Sequence, residues 1–147
     1  MVTPPRLKLA AFTPYRIVAL GQRMSEALGA AYRSEGISIP EWRVMAAVAQ
    51  AASVAARDVV AITPMDKMAV SRAVAALERK GLIEREQSRD KRVSTLKLTA
   101  KGETLFQRIA AIALKYEESL LQRLPPADRK AFLDGLAAIE TVERAAD

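Results

Sequence analysis

Residues 63–101 combine a short amphipathic helix, a glycine stop and a basic hairpin, and few folds accommodate those three in that order. Thr63 reads as an N-cap, Pro64 takes the first helical position and Asp66 lies three residues beyond the cap, which predicts a helix start at Thr63. Val70, Ala73, Val74 and Leu77 then recur at helical spacing and form one apolar stripe. Met68, Ser71, Arg72, Ala75 and Arg79 fall on or beside the opposite face. Gly81 ends the helix. Beyond it, Leu82–Glu86 and Val93–Leu98 read as two short strands around the polar loop Gln87–Arg92. A helix followed by a basic hairpin has the geometry to fill one groove of DNA and touch the next.

The charge is local to the same stretch. Lys67–Lys101 holds ten Lys and Arg against four acids, Glu78, Glu84, Glu86 and Asp90, for a net +6. The whole chain is also +6, so the remaining residues sum to zero. A concentrated cationic excess is what attraction to phosphate requires.

The runs MDKMAVSRAVAALERKGLIERE and SRDKRVSTLKLTAKG resemble the MarR family of winged helix-turn-helix transcription regulators. The most specific part is the wing pattern: Asp90-x-Arg92, then Leu96-x-Leu98-Thr99, then Lys101-Gly102. The resemblance implies a mainly α fold with a small two-stranded β-wing, six helices and a two-fold homodimer. It also implies that Arg92 enters the minor groove while Asp90 orients it; an arginine gains there from the concentrated negative potential. Ser71 and Arg72 match the DNA-facing positions of the reading helix, and arginine can bond guanine bidentately. Met68 stands where a small hydroxyl residue is common, which exchanges a polar contact for a thymine-methyl contact. Lys67, Arg89 and Lys91 are expected on phosphates. Arg79 and Lys80 read as helix-end charges complementing the dipole.

The flanking helices follow the same plan. Residues 1–12 form a loose arm, and Thr13-Pro14 opens a first helix to about Tyr32 with Ile17, Leu20, Met24, Leu28 and Ala31 in one stripe. Ser38-x-x-Glu41 is a capping box that starts a second helix through about Gln50. Ala55–Ile62 is a short third helix that braces the fourth, the reading helix. Thr99 caps a long fifth helix whose Leu105, Ile109, Ile112, Tyr116 and Leu120 resemble a coiled-coil seam. Pro125-Pro126 breaks it, and Ala127–Ala145 is a sixth helix with Phe132, Leu136 and Ile139 on one side. The division is then 1–36 for the arm and first dimerisation helix, 37–101 for the winged helix-turn-helix, and 102–147 for the C-terminal dimerisation helices. The first, fifth and sixth helices carry more apolar surface than one small core can bury, and a second copy is their natural partner.

Composition narrows the chemistry. There is no Cys and no His, which excludes disulfides and thiol redox sensing and removes the usual zinc and iron ligands. It also leaves no nucleophile–His pair, and no Gly-rich phosphate loop or paired carboxylates stand out, so an enzyme is disfavoured and no metal or cofactor is expected. The N-terminus lacks a signal-peptide core, and the longest uncharged run, Val44–Ala56, is 13 residues, short of the ~20 a membrane helix needs. The chain reads as soluble and cytoplasmic, with double-stranded DNA and itself as partners. Tyr15, Arg16, Met24, Trp42 and Met45 are the candidates for a pocket taking a small aromatic or acidic ligand, of the kind such regulators often bind. An aromatic–methionine stripe of this sort more often fills a core than lines a cavity. The leading function is a ligand-responsive repressor on an inverted-repeat operator; the alternative is a constitutive DNA-binding or architectural winged-helix protein.

Overall fold

A computed structural model describes residues 1–87 and 93–146. Its elements run α1 (Thr13–Arg33), α2 (Ile39–Val48), β1 (Val54–Ala55), α3 (Ala56–Ile62), α4 (Lys67–Arg79), β2 (Ile83–Gln87), β3 (Ser94–Leu98), α5 (Ala100–Gln122) and α6 (Pro126–Ala145). Within the expected loose arm, Leu9–Ala11 makes one turn of 3-10 helix. No helix of the described residues is long and apolar enough to cross a membrane.

The chain divides into two compact units, Met1–Ile109 and Ala110–Asp147. In the first unit the core is drawn from every helix of the winged helix-turn-helix and from the sheet. Val44, Met45 and Val48 of α2, Val59 of α3, Leu77 of α4, Leu96 of β3 and Ile109 of α5 are all fully buried. Burying such side chains stabilises by about 1.5–3 kcal/mol each. The periodicity of α4 therefore maps directly onto packing: Val70, Ala73, Val74 and Leu77 are its buried residues. The expected capping box is present at α2, where Ser38 Oγ accepts from the Glu41 amide at 3.2 Å and Glu41 Oε1 accepts from the Ser38 amide at 3.3 Å.

The sheet has three strands where two were expected. β1 pairs antiparallel with β3 through Val54↔Leu96 and Ala55↔Thr95, giving the order β1-β3-β2. Two residues cannot display an alternating pattern, and these two sit in an alanine-rich run; only their partner strand defines them. β2 and β3 pair in the register Ile83↔Leu98 to Gln87↔Ser94.

In the second unit, Arg129 closes the turn between the two helices. Its Nε donates to the Leu121 carbonyl at 3.1 Å, a second donor beside the Leu124 amide, which reaches the same oxygen at 3.1 Å. None of the residues of α6 is buried, and Phe132, Leu133, Leu136, Ile139 and Val142 are 39–68% exposed.

Candidate nucleic-acid interface

The reading helix is shorter than its sequence suggests. Asp66, not Thr63, is the N-cap of α4: its Oδ1 accepts from the Ala69 amide at 2.8 Å. Thr63 instead closes α3, its hydroxyl donating to the Val59 carbonyl at 2.7 Å and its amide reaching the same oxygen at 3.0 Å. A threonine hydroxyl can satisfy the last turn of one helix or the first of the next, and a carboxylate is the stronger acceptor beside a helix N-terminus. Lys67 consequently opens α4. Lys67, Met68, Ser71 and Arg72 are all exposed, Met68 to 70%. At 100° per residue, Met68, Ser71, Arg72, Ala75 and Arg79 span about 100° of the helix surface, a single ridge opposite the buried stripe.

Ion pairing redistributes the charge. Arg85 Nη2 meets Glu78 Oε1 at 3.0 Å, so that strand cation is tied back to α4. Lys97 lies opposite Glu84 and pairs with Glu86 at 2.5 Å and Glu84 at 3.8 Å. The Glu86 hydrogen bond and charge raise the Lys97 pKa above its ordinary value. Lys80 pairs with Glu41. Lys67, Arg72 and Arg79, by contrast, have no carboxylate within 4.0 Å among the described residues. Within the described part of 67–101, the cations without a carboxylate partner are therefore Lys67, Arg72 and Arg79 of α4 and Lys101 of α5, and none lies in the strands. Arg89, Asp90, Lys91 and Arg92 lie outside the described residues.

Glu41 deserves separate account because it is 8% exposed and charged. Burial by itself pushes its carboxyl up, but hydrogen bonds from Lys80 and Ser38, with the Lys80 charge, outweigh that and hold its pKa below the ordinary value. A depressed folded-state pKa stabilises the protein above the unfolded value and ceases to do so as pH falls through the folded one. Thermal midpoints should therefore drop as the pH goes below about 4.5, the ordinary Glu value. Glu41→Gln should flatten that part of the curve, whereas an identical acid limb in both proteins would assign the loss to other carboxylates.

The base of the wing is pinned by three residues of the sequence motif. Gly81 takes φ +70° to end α4. Thr99 Oγ1 donates to the Gly81 carbonyl at 2.6 Å and accepts from the Gly102 amide at 3.0 Å, which caps α5 as its sequence position predicts. Gly102 sits directly against the Leu82 carbonyl, with no room for a Cβ. Lys101 Nζ reaches the Lys80 carbonyl at 3.1 Å, so this cation serves the end of α4.

The ligand-pocket candidates are not brought together. Tyr15 and Arg16 line an open depression on α1 of about 510 Å³, shared with Thr13, Ile17, Leu20 and Arg23. Met45 is fully buried in the core. Trp42 is half-buried in an aromatic stack, 5.7 Å from Tyr32 and 5.6 Å from Phe106 between ring centroids. Burial raises the Tyr32 pKa, partly opposed by Arg43 and Arg33. Met24 is half-buried on α1 and does not line the depression.

Sequence reasoning missed Asp66 as a cap, Lys80 as an ion-pair residue and Arg129 as the closure of a turn. An aspartate three residues before the Ala69 amide was a readable signal for the first. The Lys80–Glu41 pair joins positions 39 apart and leaves no local signal.

Comparison with known proteins agrees with this geometry. Residues 35–92, which include the turn before α2, the helix-turn-helix and β2, match the MarR family. The HTH-type transcriptional regulator YwoH of Bacillus subtilis (strain 168), itself uncharacterized, is 27% identical over 97 residues, covering 66% of this chain and 71% of its own. The MarR/EmrR family regulator of Acinetobacter sp. ADP1 superposes with a TM-score of 0.82 at 26% identity, covering 95% of this chain and 99% of that one. Bordetella bronchiseptica BpsR, whose DNA binding is regulated by 6-hydroxynicotinic acid, superposes with a TM-score of 0.79 at 19% identity, covering 92% and 98%. A helix α4 with a buried apolar stripe, a wing base built on Thr99 and Gly102, the match over 35–92 and these superpositions make this chain similar to the MarR family of winged helix-turn-helix transcription regulators.

Proposed function

We propose that this regulator is a homodimeric repressor that occupies an inverted-repeat operator and is released by a small aromatic or acidic ligand. The observation that carries the reading is the surface of α4. Its apolar stripe is buried, while Met68, Ser71 and Arg72 project beside cations with no acidic partner among the described residues. In this reading residues 37–101 are the DNA reader, with Arg72 on a base edge, Lys67 on phosphate, and Arg89, Lys91 and Arg92 of the wing on the neighbouring backbone and groove. Asp90 orients Arg92. Residues 1–36 and 102–147 supply dimerisation, and the place of action is the cytoplasm. Selection from random duplexes tests this: a two-fold reader should enrich an inverted repeat with half-site centres about 10 base pairs apart. Enriched sequences without a dyad would count against paired heads.

BpsR supports a ligand of the aromatic-acid class, and the Tyr15–Arg16 depression supplies an aromatic ring and a guanidinium for one. Release requires that the ligand bind the DNA-incompetent state more tightly. Titrating aromatic acids into the operator complex decides between this and a constitutive binder, which would show no release. Base and phosphate contacts should separate cleanly. Arg72→Ala is expected to relax discrimination at one base pair by about 1–3 kcal/mol. Lys91→Ala should weaken all duplexes alike and reduce the salt slope by about one unit. A uniform loss for Arg72→Ala would remove it from base readout.

A further inference from the structure

Lys80 sits in the cationic stretch just past the reading helix, counted in its +6 excess and read from the sequence as a helix-end charge. Its side chain is turned elsewhere. Nζ donates to Glu41 Oε2 at 2.5 Å and to the Gly36 carbonyl at 2.7 Å, so both bonds run back to the connection before α2 and to its first turn. The other carboxylate oxygen of Glu41 is held by the Ser38 amide in the capping box. The Lys80 carbonyl in turn accepts from Lys101 at the start of α5. One residue further back from Gly36, Glu35 pairs with Arg108 of α5 at 3.1 Å. The α1–α2 turn is thus bonded both to the C-terminal end of the reading helix and to α5, and Lys80 makes the first of those links.

We propose that Lys80 and Glu41 are a positioning pair of the reading head: they fix the C-terminal end of α4 against the α1–α2 turn, and Lys80 contacts no phosphate. The pair does not touch DNA; it acts through the register of Ser71 and Arg72 on the same helix. Because a bidentate base contact depends on alignment, letting the end of α4 swing should weaken specific binding without changing how many phosphates are neutralised. The inference rests on α4 being the reader. It identifies a second role for the α1–α2 turn, as the element through which displacement of α1 or α5 would reach the reading face.

The sign of one substitution separates positioning from plain electrostatics. Glu41→Gln removes a negative charge, which by long-range attraction should tighten DNA binding. It keeps the capping box, in which Gln serves as well as Glu. If the pair positions α4, the same substitution should weaken binding. The test uses the full chain, a duplex enriched by the parent from a random pool, and a scrambled duplex of equal length, in a salt series below the melting temperature of each variant. Expected are losses of about tenfold on the enriched duplex for both Lys80→Met and Glu41→Gln, inside the range for one misaligned base contact. The salt slope and the scrambled-duplex affinity should stay at parental values, and the double variant should be no worse than either single one. Lys91→Ala provides the reference for a lost phosphate. A salt slope lower by about one unit for Lys80→Met, with equal loss on both duplexes, would overturn the proposal. So would unchanged or tighter binding by Glu41→Gln, which decides the matter even if Lys80→Met does not fold. A parent protein that prefers no sequence would remove α4 as the reader, and the positioning role with it.

Discussion

Ile139→Glu is expected to yield a folded monomer that binds a two-half-site duplex about 10²–10⁴-fold more weakly than the parent, because a tethered second head supplies avidity of that order. Ile139 is 54% exposed in the single chain, so a carboxylate there costs the isolated subunit little. Phe132, Leu136 and Ile139 lie on one side of α6 and leave a run of apolar surface that water would have to cover in a monomer. Covering each side chain with a second copy would contribute up to about 1.5–3 kcal/mol, and a charge placed among them removes more than its own share. Sedimentation at micromolar concentration, with circular dichroism to establish folding, reads the result directly. A parent that is monomeric at that concentration, or a variant that stays dimeric with unchanged affinity, would sink the expectation.

What was legible in the sequence was whatever depends on near neighbours. The stripe Val70, Ala73, Val74 and Leu77 is the buried face of α4, because helical periodicity and burial are the same fact seen twice. Ser38-x-x-Glu41 forms its capping box, and Thr99 caps α5, since each bond spans only three residues. Thr63 went wrong for an instructive reason. Thr-Pro is a good helix start, but Asp66 offered a better acceptor three residues later, and the threonine hydroxyl turned back to Val59. Local rules rank such competitors only when their acceptor strengths are weighed as well.

Long-range partners were illegible. β1 exists because β3 is beside it, and its two residues carry no pattern of their own. Counting ten cations in one window could not reveal that Lys80, Arg85 and Lys97 are each tied to a glutamate. The same limit applies to the ligand candidates. Met45 and Trp42 share a stripe on α2, yet one is sealed in the core and the other lies in an aromatic stack, while Tyr15 and Arg16 lie on an open face of α1. Spacing says which residues share a helix face; it does not say what lies against that face.

Gly102→Val should be the most damaging substitution at the wing, and the neighbouring glycines show why position rather than residue type decides it. A Cβ at Gly102 would overlap the Leu82 carbonyl, which is backbone and has no rotamer to move into. That carbonyl also accepts from the Thr99 amide at 3.0 Å, so displacing it breaks the bond joining the entry of β2 to the end of β3. Overpacking of this kind costs typically about 1–3 kcal/mol, and a branched side chain against backbone belongs at the upper end or beyond. Gly21, in the middle of α1, has nothing within 4 Å of an added Cβ. Gly21→Ala should therefore stabilise by about 0.5–1 kcal/mol through helix propensity alone. Thermal melts of the two variants should move in opposite directions. Gly102→Val should also lose specific DNA binding at temperatures where it is still helical, because the strands that carry the wing would no longer be seated on α5. Equal, small shifts for both variants would mean that the Leu82 carbonyl can yield, and that the wing does not depend on a close approach at Gly102.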